Sequence, residues 1–341
     1  MSKKMFDFCI GNPPYNDERG ENGRQPPVYH KFMDACQNVA DCTELITPAR
    51  FLFNAGQTPK EWNKRKLNDK HFKVLKYESD ASKIFPNTEI KGGVTITLDD
   101  RNRFFNPIGV FIEYDSLKSI LDKVRDKGED SMSMIITGAV PYRYTETLKE
   151  EHPEYVKLCG DSFDLRTNTL DNLYDKLYFS KKINEDYVGI FGLYKKKRTT
   201  LWIDSRYVSG PSNFKKYKVL LGKAQGSGNF GEVFSEPVDG KPNIGHTQSF
   251  VSIGEFNTEN EMINAKKYLK TKLCRCLLSI LRKTPDIPPY KWKYVPLQDF
   301  TDHSDIDWSK PIPEIDQQLY RKYGLSDEEI DFIETHVKEM K

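Results

Sequence analysis

The sequence predicts an α/β fold over its first hundred residues and an α+β domain over the remainder. Three observations carry that reading. Residues 6–100 hold short apolar runs of strand type separated by stretches with helical spacing. From about residue 104 this alternation fades, and aromatic and basic residues intermingle. The length, 341 residues, suits two domains that each bury a core. The expected boundaries are 1–103 and 104–341.

The elements follow in order. Phe6–Ile10 (FDFCI) reads as the first strand, and a helix is expected from about Pro27 to Val39, where Val28, Phe32, Ala35 and Val39 recur at helical spacing. Glu44–Phe53 (ELITPARFLF) reads as a buried strand running into a turn at Pro48. Thr58 and Pro59 open a polar helix over Pro59–Asn68, as cap and first position. Phe72–Tyr77 and the β-branched Gly93–Leu98 are further strands. This pattern predicts a parallel, Rossmann-like sheet whose ligands lie beyond the carboxyl ends of its strands.

Composition narrows the class. Charged residues make up 30% of the chain, mean hydropathy is −0.68, and no apolar run reaches the ~20 residues of a membrane span. The six cysteines lack the paired spacing of a zinc site, and their scatter fits reduced thiols in a cytoplasmic protein. No metal is expected. The net charge of +2 conceals an asymmetry: residues 181–233 carry eleven Lys/Arg against four Asp/Glu, and residues 299–341 carry five against twelve. A basic middle suits a polyanion, through release of counterions from phosphates, and equally suits a solvated charged face.

The most informative residues are Asn12-Pro13-Pro14-Tyr15, directly after the first strand. Each proline removes a backbone donor and fixes its own φ, and the residue before a proline is pushed to extended geometry. The result is a stiff turn whose carbonyls only accept. The Asn12 amide oxygen and the Pro13 carbonyl form a double acceptor suited to an exocyclic amino group, and Tyr15 offers a face on which an extruded base can stack. The plainer reading is a surface turn after an edge strand.

Further segments occur in a telling order: Ile10-Gly11-Asn12-Pro13-Pro14-Tyr15-Asn16, Val28-Tyr29-His30-Lys31-Phe32-Met33, Ile46-Thr47-Pro48-Ala49-Arg50-Phe51 and Lys91-Gly92-Gly93-Val94. Together they resemble the N6-adenine DNA methyltransferases of the Eco57I type, over roughly residues 6–100. The closing segments 294–300, 306–308 and 316–325 resemble the ends of that family's recognition domain. The resemblance implies a methyltransferase sheet followed by a target-recognition domain. It makes Asn12 the amide acceptor, Pro13 the carbonyl acceptor, Pro14 the stiffener and Tyr15 the stacking aromatic. S-adenosylmethionine would be the methyl donor and double-stranded DNA the substrate, with catalysis by positioning and electrostatics.

One departure from the family stands out. Its members carry, ahead of the catalytic strand, an aspartate-aromatic-x-Gly-x-Gly turn around the methionine part of the cofactor, together with acidic residues for the ribose and adenine. No such segment precedes Phe6. The glycine-rich Gly226-Ser227-Gly228-Asn229-Phe230-Gly231 after Tyr217–Leu221 is a weak substitute, better read as a loop of the recognition domain. The cofactor-binding residues are therefore unknown. The expectation is a fragment or split subunit whose partner polypeptide supplies the cofactor-binding half. The alternative is a DNA-binding module without chemistry, and a restriction nuclease within this chain is not expected.

In the second domain, Lys195, Lys196, Lys197 and Arg198, with Lys215, Lys216 and Lys218, are the candidate DNA contacts. A capping box at Thr258–Glu261 opens one long helix with an apolar stripe from Ala265 to Ile280. Its basic side, including Lys266, Lys267, Lys270, Lys272, Arg275 and Arg282, suits either phosphate or a solvated scaffold face. A second box, Ser326–Glu329, opens an acidic terminal helix to about Glu339.

Overall fold

The computed structural model describes residues 4–17, 25–55, 57–160 and 162–340. The chain divides into two compact units, Met1–Asp115 and Ser116–Lys341. The division falls later than residue 103 because the intervening residues belong to the first core: Ile108 and Phe111 pack against it, and the Phe111 ring meets Phe53 and Tyr77 edge-on.

The first unit runs β1 (Phe6–Gly11), α1 (Tyr29–Val39), β2 (Ala40–Pro48), α2 (Lys60–Leu67), β3 (Phe72–Glu78) and β4 (Val94–Asp100). The sheet order is β1-β2-β4-β3. Strand β1 pairs with β2 in parallel, whereas β4 lies antiparallel to both β2 and β3. The parallel sheet expected from the alternation is therefore a mixed one. The physical reason lies in the connections. A parallel neighbour needs a crossover, which α1 supplies between β1 and β2, but residues 79–93 hold only the short turn Ala81–Lys83. The chain must then come back alongside β3. Tyr29, Met33, Leu45, Phe51, Trp62 and Phe72 form the core beneath one sheet face. The Trp62 indole N–H donates to the Asp34 carboxylate at 3.0 Å, tying α2 to α1. Helix α2 starts after Pro59 and has no side-chain cap, contrary to the role expected of Thr58.

The second unit continues with α3 (Asp115–Asp126), β5 (Ile136–Thr137), β6 (Arg143–Tyr144), α4 (Glu146–Glu151), α5 (Val156–Cys159), α6 (Thr169–Asn172), β7 (Tyr187–Tyr194), β8 (Lys197–Asp204) and β9 (Val208–Ser209). It closes with β10 (Tyr217–Gly222), β11 (Val238–Gly240), β12 (Ile244–His246), β13 (Phe250–Phe256), α7 (Glu259–Lys270), α8 (Lys272–Leu281), α9 (Ile312–Tyr323) and α10 (Asp327–His336). Its strands form small separate sheets, ordered β11-β10-β13-β5, β12-β7-β8 and β6-β9. One core gathers Tyr142, Tyr144, Leu170, Tyr178, Ile190 and Ile203.

The long helix expected from Thr258 is two helices. Thr258 caps α7 as anticipated, accepting from the Glu261 N–H at 3.2 Å. The chain then breaks at Thr271, whose backbone is extended (φ −61°, ψ 149°). Its hydroxyl donates to the Tyr268 carbonyl at 2.7 Å and accepts from the Cys274 N–H, so it ends α7 and caps α8. The second capping box is complete, and Glu329 also receives Ser119 and Lys123 of α3. Among the described residues no helix is long and apolar enough to cross a membrane, and the cysteines are free thiols.

Candidate functional site

Strand β1 ends at Gly11 and delivers Asn12–Tyr15 at its carboxyl end. Asn12 and Pro14 are exposed, and Pro13 and Tyr15 are half-buried. The corner is held from behind: the Tyr15 carbonyl accepts from the Val28 N–H at 3.0 Å, at the start of α1. Asn16 bridges Pro27, and the Asp17 N–H donates to the Pro26 carbonyl at 2.9 Å. Among the described residues neither the Asn12 side chain nor the Pro13 carbonyl takes a hydrogen bond. The Tyr15 hydroxyl is buried without a partner among the described residues, and burial raises its pKa. A cleft of about 550 Å³ adjoins the corner, lined by Pro14, Asn16, Val28, Lys31 and Phe32 among others. The sequence placed Phe32 on a helix without pointing to this cleft, and Lys31 carried no signal of its own.

The other segments noted in the first hundred residues gather at the same end of the sheet. Pro48, the last residue of β2, pairs with Val94, the first of β4. Behind Pro48 the chain turns tightly over Ala49–Phe53, and Arg50 donates through Nε to the Lys91 carbonyl at 2.6 Å. The Ala49 N–H meets the Gly93 carbonyl at 3.0 Å. Gly93 itself sits at φ +75°, and a Cβ there would lie 2.2 Å from the Glu78 carbonyl oxygen. Only glycine fits that approach.

The basic candidates divide. Tyr194 pairs with Lys197, so Lys195 and Lys196 form a two-residue hairpin turn, at φ 47° and 63°. This left-handed pair is the conformation for which asparagine and glycine are preferred. Both lysines are exposed, as are Lys197 and Arg198. The Lys195 N–H donates to Asp171, and the Lys195 ammonium stands 5.2 Å from the Tyr194 ring. Arg198 donates to the Glu236 carbonyl at 2.8 Å and lies over Phe250. Lys215 is exposed, whereas Lys216 bonds Asn257 at 2.7 Å.

Lys218 is a correction. It is fully buried, its ammonium donates to the Asn213 and Lys216 carbonyls at 2.8 and 3.0 Å, and burial pulls its pKa down to about 8. It cannot reach a phosphate. The basic side of the 258–281 segment is likewise consumed. Lys266 pairs with Asp239, Lys270 with Glu236 and Lys272 with Glu334, while Arg275 and Arg282 are buried. This is the scaffold reading of that segment.

The glycine-rich loop holds its own anion. The Glu232 carboxylate accepts from the Ser227 and Gly228 N–H groups at 3.0 Å each and from Arg282 at 3.0 Å. Gly228 and Gly231 sit at φ +93° and +67°, with backbone of Thr284 and His336 where a Cβ would go. The amides that could cradle the carboxylate of S-adenosylmethionine are occupied, so this loop does not fit that group.

Residues 1–85 match the sequence profile of the family described as Eco57I restriction-modification methylase. No curated protein matches the chain. Solved structures similar to it include two restriction enzymes. The type IIG restriction endonuclease BpuSI is 10% identical, over 94% of this chain and 49% of that one, with a TM-score of 0.33. The type IIL restriction-modification enzyme MmeI, solved in complex with DNA, is 9% identical over 96% and 56%, with a TM-score of 0.37. The chain thus spans about half the length of these proteins. The Asn-Pro-Pro-Tyr corner and the Pro-Ala-Arg-Phe turn both lie within the matched residues, and it is over residues 1–85 that the chain is similar to the Eco57I restriction-modification methylases.

Proposed function

We propose that this chain is the catalytic and target-recognition part of a restriction-modification DNA methyltransferase that acts on the N6 amino group of adenine. The observation that carries the proposal is the pair of acceptors, the Asn12 side chain and the Pro13 carbonyl, that take no hydrogen bond among the described residues at the carboxyl end of β1. In this reading the two acceptors take the hydrogen bonds of the amino group, which draws its lone pair out of ring conjugation and orients it. Tyr15 stacks on the extruded base, and Pro14 keeps the acceptors fixed, so little reorganisation accompanies reaction. The first unit is then part of a Rossmann-like methyltransferase sheet. Lys195, Lys196, Lys197, Arg198, Lys215 and Lys216 hold the DNA backbone, and the second unit reads the target.

S-adenosylmethionine is the methyl source, bound on a second polypeptide that carries an aspartate-aromatic-x-Gly-x-Gly turn. The test is transfer of labelled methyl groups to duplex DNA by this chain combined with such a polypeptide, and by the chain alone. The pair is expected to methylate adenine and the Asn12→Ala pair to be inactive while still binding DNA. Retained transfer by Asn12→Ala overturns the assignment.

A second reading, a DNA-binding module without chemistry, is favoured by one observation: Glu232 fills the one glycine-rich loop. The methyl-transfer assay separates the two accounts, and calorimetry tests the premise they share. Strong binding of S-adenosylmethionine by the isolated chain would contradict both the split enzyme and the inert module.

A further inference from the structure

Residues 70–73 and 101–105 lie together where β3 begins and β4 ends, and they set an aromatic ring and several cations out in water. Phe104 is 79% exposed, the most open large apolar side chain among the described residues. Leaving such a ring in water forgoes about 1.5–3 kcal/mol of burial. The ring is nonetheless held in place. His71 Nδ1 faces two carbonyls, so it carries a proton and donates to Arg103 and Asp100 at 2.8 and 3.1 Å. The Phe105 N–H donates to the Lys70 carbonyl at 2.6 Å, and the His71 ring stands 4.7 Å from that of Phe104. The start of β3 therefore pins the loop and presents Phe104 outward.

The charge around the ring is mostly positive. Lys73 and Arg103 flank the Phe105 ring, their cationic groups 5.8 and 5.9 Å from its centre, and Lys70 and Arg101 add two more exposed cations. Lys70, Lys73 and Arg101 pair with no carboxylate among the described residues, and Arg103 stands 3.9 Å from Asp100. The neighbouring carboxylates are engaged by other groups. Asp69 accepts from the His71 N–H at 2.9 Å, Asp99 binds the buried Lys66, and Asp100 accepts from the Asn102 N–H at 3.0 Å. Against the four cations this leaves the half-buried Asp41 and Glu44 of β2, so a positive excess remains.

We infer that this patch binds an unpaired stretch of nucleic-acid strand, with a base stacked on Phe104 and the adjoining phosphates on Lys70, Lys73, Arg101 and Arg103. The core of a protein interface needs several apolar groups side by side, whereas the exposed residues flanking the Phe104-Phe105 pair are Arg103 and Asn106. A base needs one open aromatic face with cations beside it for the phosphates. Paired bases are stacked inside a duplex and cannot use the ring, which makes unpaired strand the ligand class. The patch and the Asn12–Tyr15 corner occupy opposite ends of the sheet, since Cys42 pairs with Asp100 at one end and Pro48 with Val94 at the other. The inference rests on the patch alone and not on the methyl-transfer reading.

Fluorescence anisotropy of a labelled oligothymidylate of about twelve nucleotides, titrated with the full chain at several salt concentrations, tests it. The wild type is expected to bind. Phe104→Ala is expected to weaken binding roughly 10-fold, the loss of one stacked base, with the melting temperature unchanged and Phe104→Trp restoring affinity. Lys73→Ala and Arg101→Ala are each expected to lower the slope of log affinity against log salt by about 0.7. A blunt-ended duplex should bind Phe104→Ala and the wild type alike. The same titration with oligouridylate shows whether DNA or RNA is the better ligand, and binding of either that depends on Phe104 supports the inference. Absence of binding to both strands, unchanged affinity in Phe104→Ala, or an equal loss on duplex and strand overturns it. So does protection of the 101–105 amides from hydrogen exchange by a cofactor-carrying polypeptide and not by the strand, which assigns the patch to a protein partner instead.

Discussion

The corner after β1 and the basic stretch of the second unit differ in how much of their polarity stays available. At the corner few polar groups exist, yet among the described residues neither the exposed Asn12 side chain nor the Pro13 carbonyl is taken up by a hydrogen bond. In the basic stretch the charges are many, but Lys218 is buried and turned onto carbonyls, and Lys270 and Lys272 of the nearby helices are paired with Glu236 and Glu334. Counting charges along a sequence therefore overstates what a surface can offer. A rigid turn of two prolines understates it, because the prolines bring carbonyl acceptors without any N–H donor.

The contrast is most exposed at Asn12. Its side chain makes no hydrogen bond among the described residues, so Asn12→Ala is expected to change unfolding free energy by less than about 0.5 kcal/mol. In the combined methyl-transfer assay it is expected to lower the rate by roughly 100-fold or more, as for other preorganised polar groups at a reacting centre. Chemical denaturation alongside the rate assay checks both halves.

The second unit should instead reveal its internal polarity through pH. His246 is fully buried, its Nδ1–H donating to the Thr247 carbonyl at 3.0 Å, and burial lowers its pKa to about 4. The unfolded chain binds a proton on this ring between its ordinary pKa and about 4, and the folded chain does not. Stability should therefore fall as pH drops through that window, by about 3 kcal/mol in total. Denaturation midpoints across the range should show the loss, and His246→Phe should flatten it.

A smaller effect separates two neighbouring lysines. Lys218→Ala strands several buried carbonyls and should cost about 2 kcal/mol of stability, with DNA affinity unchanged per folded molecule. Lys215→Ala, on an exposed side chain, should do the reverse. It should weaken DNA binding and reduce the slope of log affinity against log salt by about one.

The hairpin tip gives the finest test. Replacing Lys195-Lys196 by Asn-Gly removes two left-handed lysines and should stabilise the fold by about 1 kcal/mol per residue relieved. If these lysines hold phosphate, DNA affinity falls as stability rises. If both improve or affinity is unmoved, the tip has no part in binding.

Much of the first unit was legible because strand type and helical spacing are local properties. β1, β3 and β4 lie within about two residues of their expected ends, and the corner stood out because two consecutive prolines leave few conformations open. Strand direction was not legible. The residues of β4 look alike in either orientation, and only the lack of a helix between Glu78 and Val94 hints at its reversal. The break at Thr271 was hidden by an apolar stripe that continues through it, although a threonine three residues before Cys274 is itself a cap signal. The burial of Lys218 had a trace as well, a lysine inside a strand (YKVLL) that is apolar on both faces. Glu232 filling the glycine loop had none, since a carboxylate five residues from Ser227 shows no preference for turning back onto it.

The neck formed by Tyr15 with Val28, Asn16 with Pro27 and Asp17 with Pro26 ties the carboxyl end of β1 to the start of α1. Its bonds run between backbone groups, so exchanging the side chains of Asn16, Asp17 or Val28 should leave the tie in place and with it the path of the Asn12–Tyr15 turn.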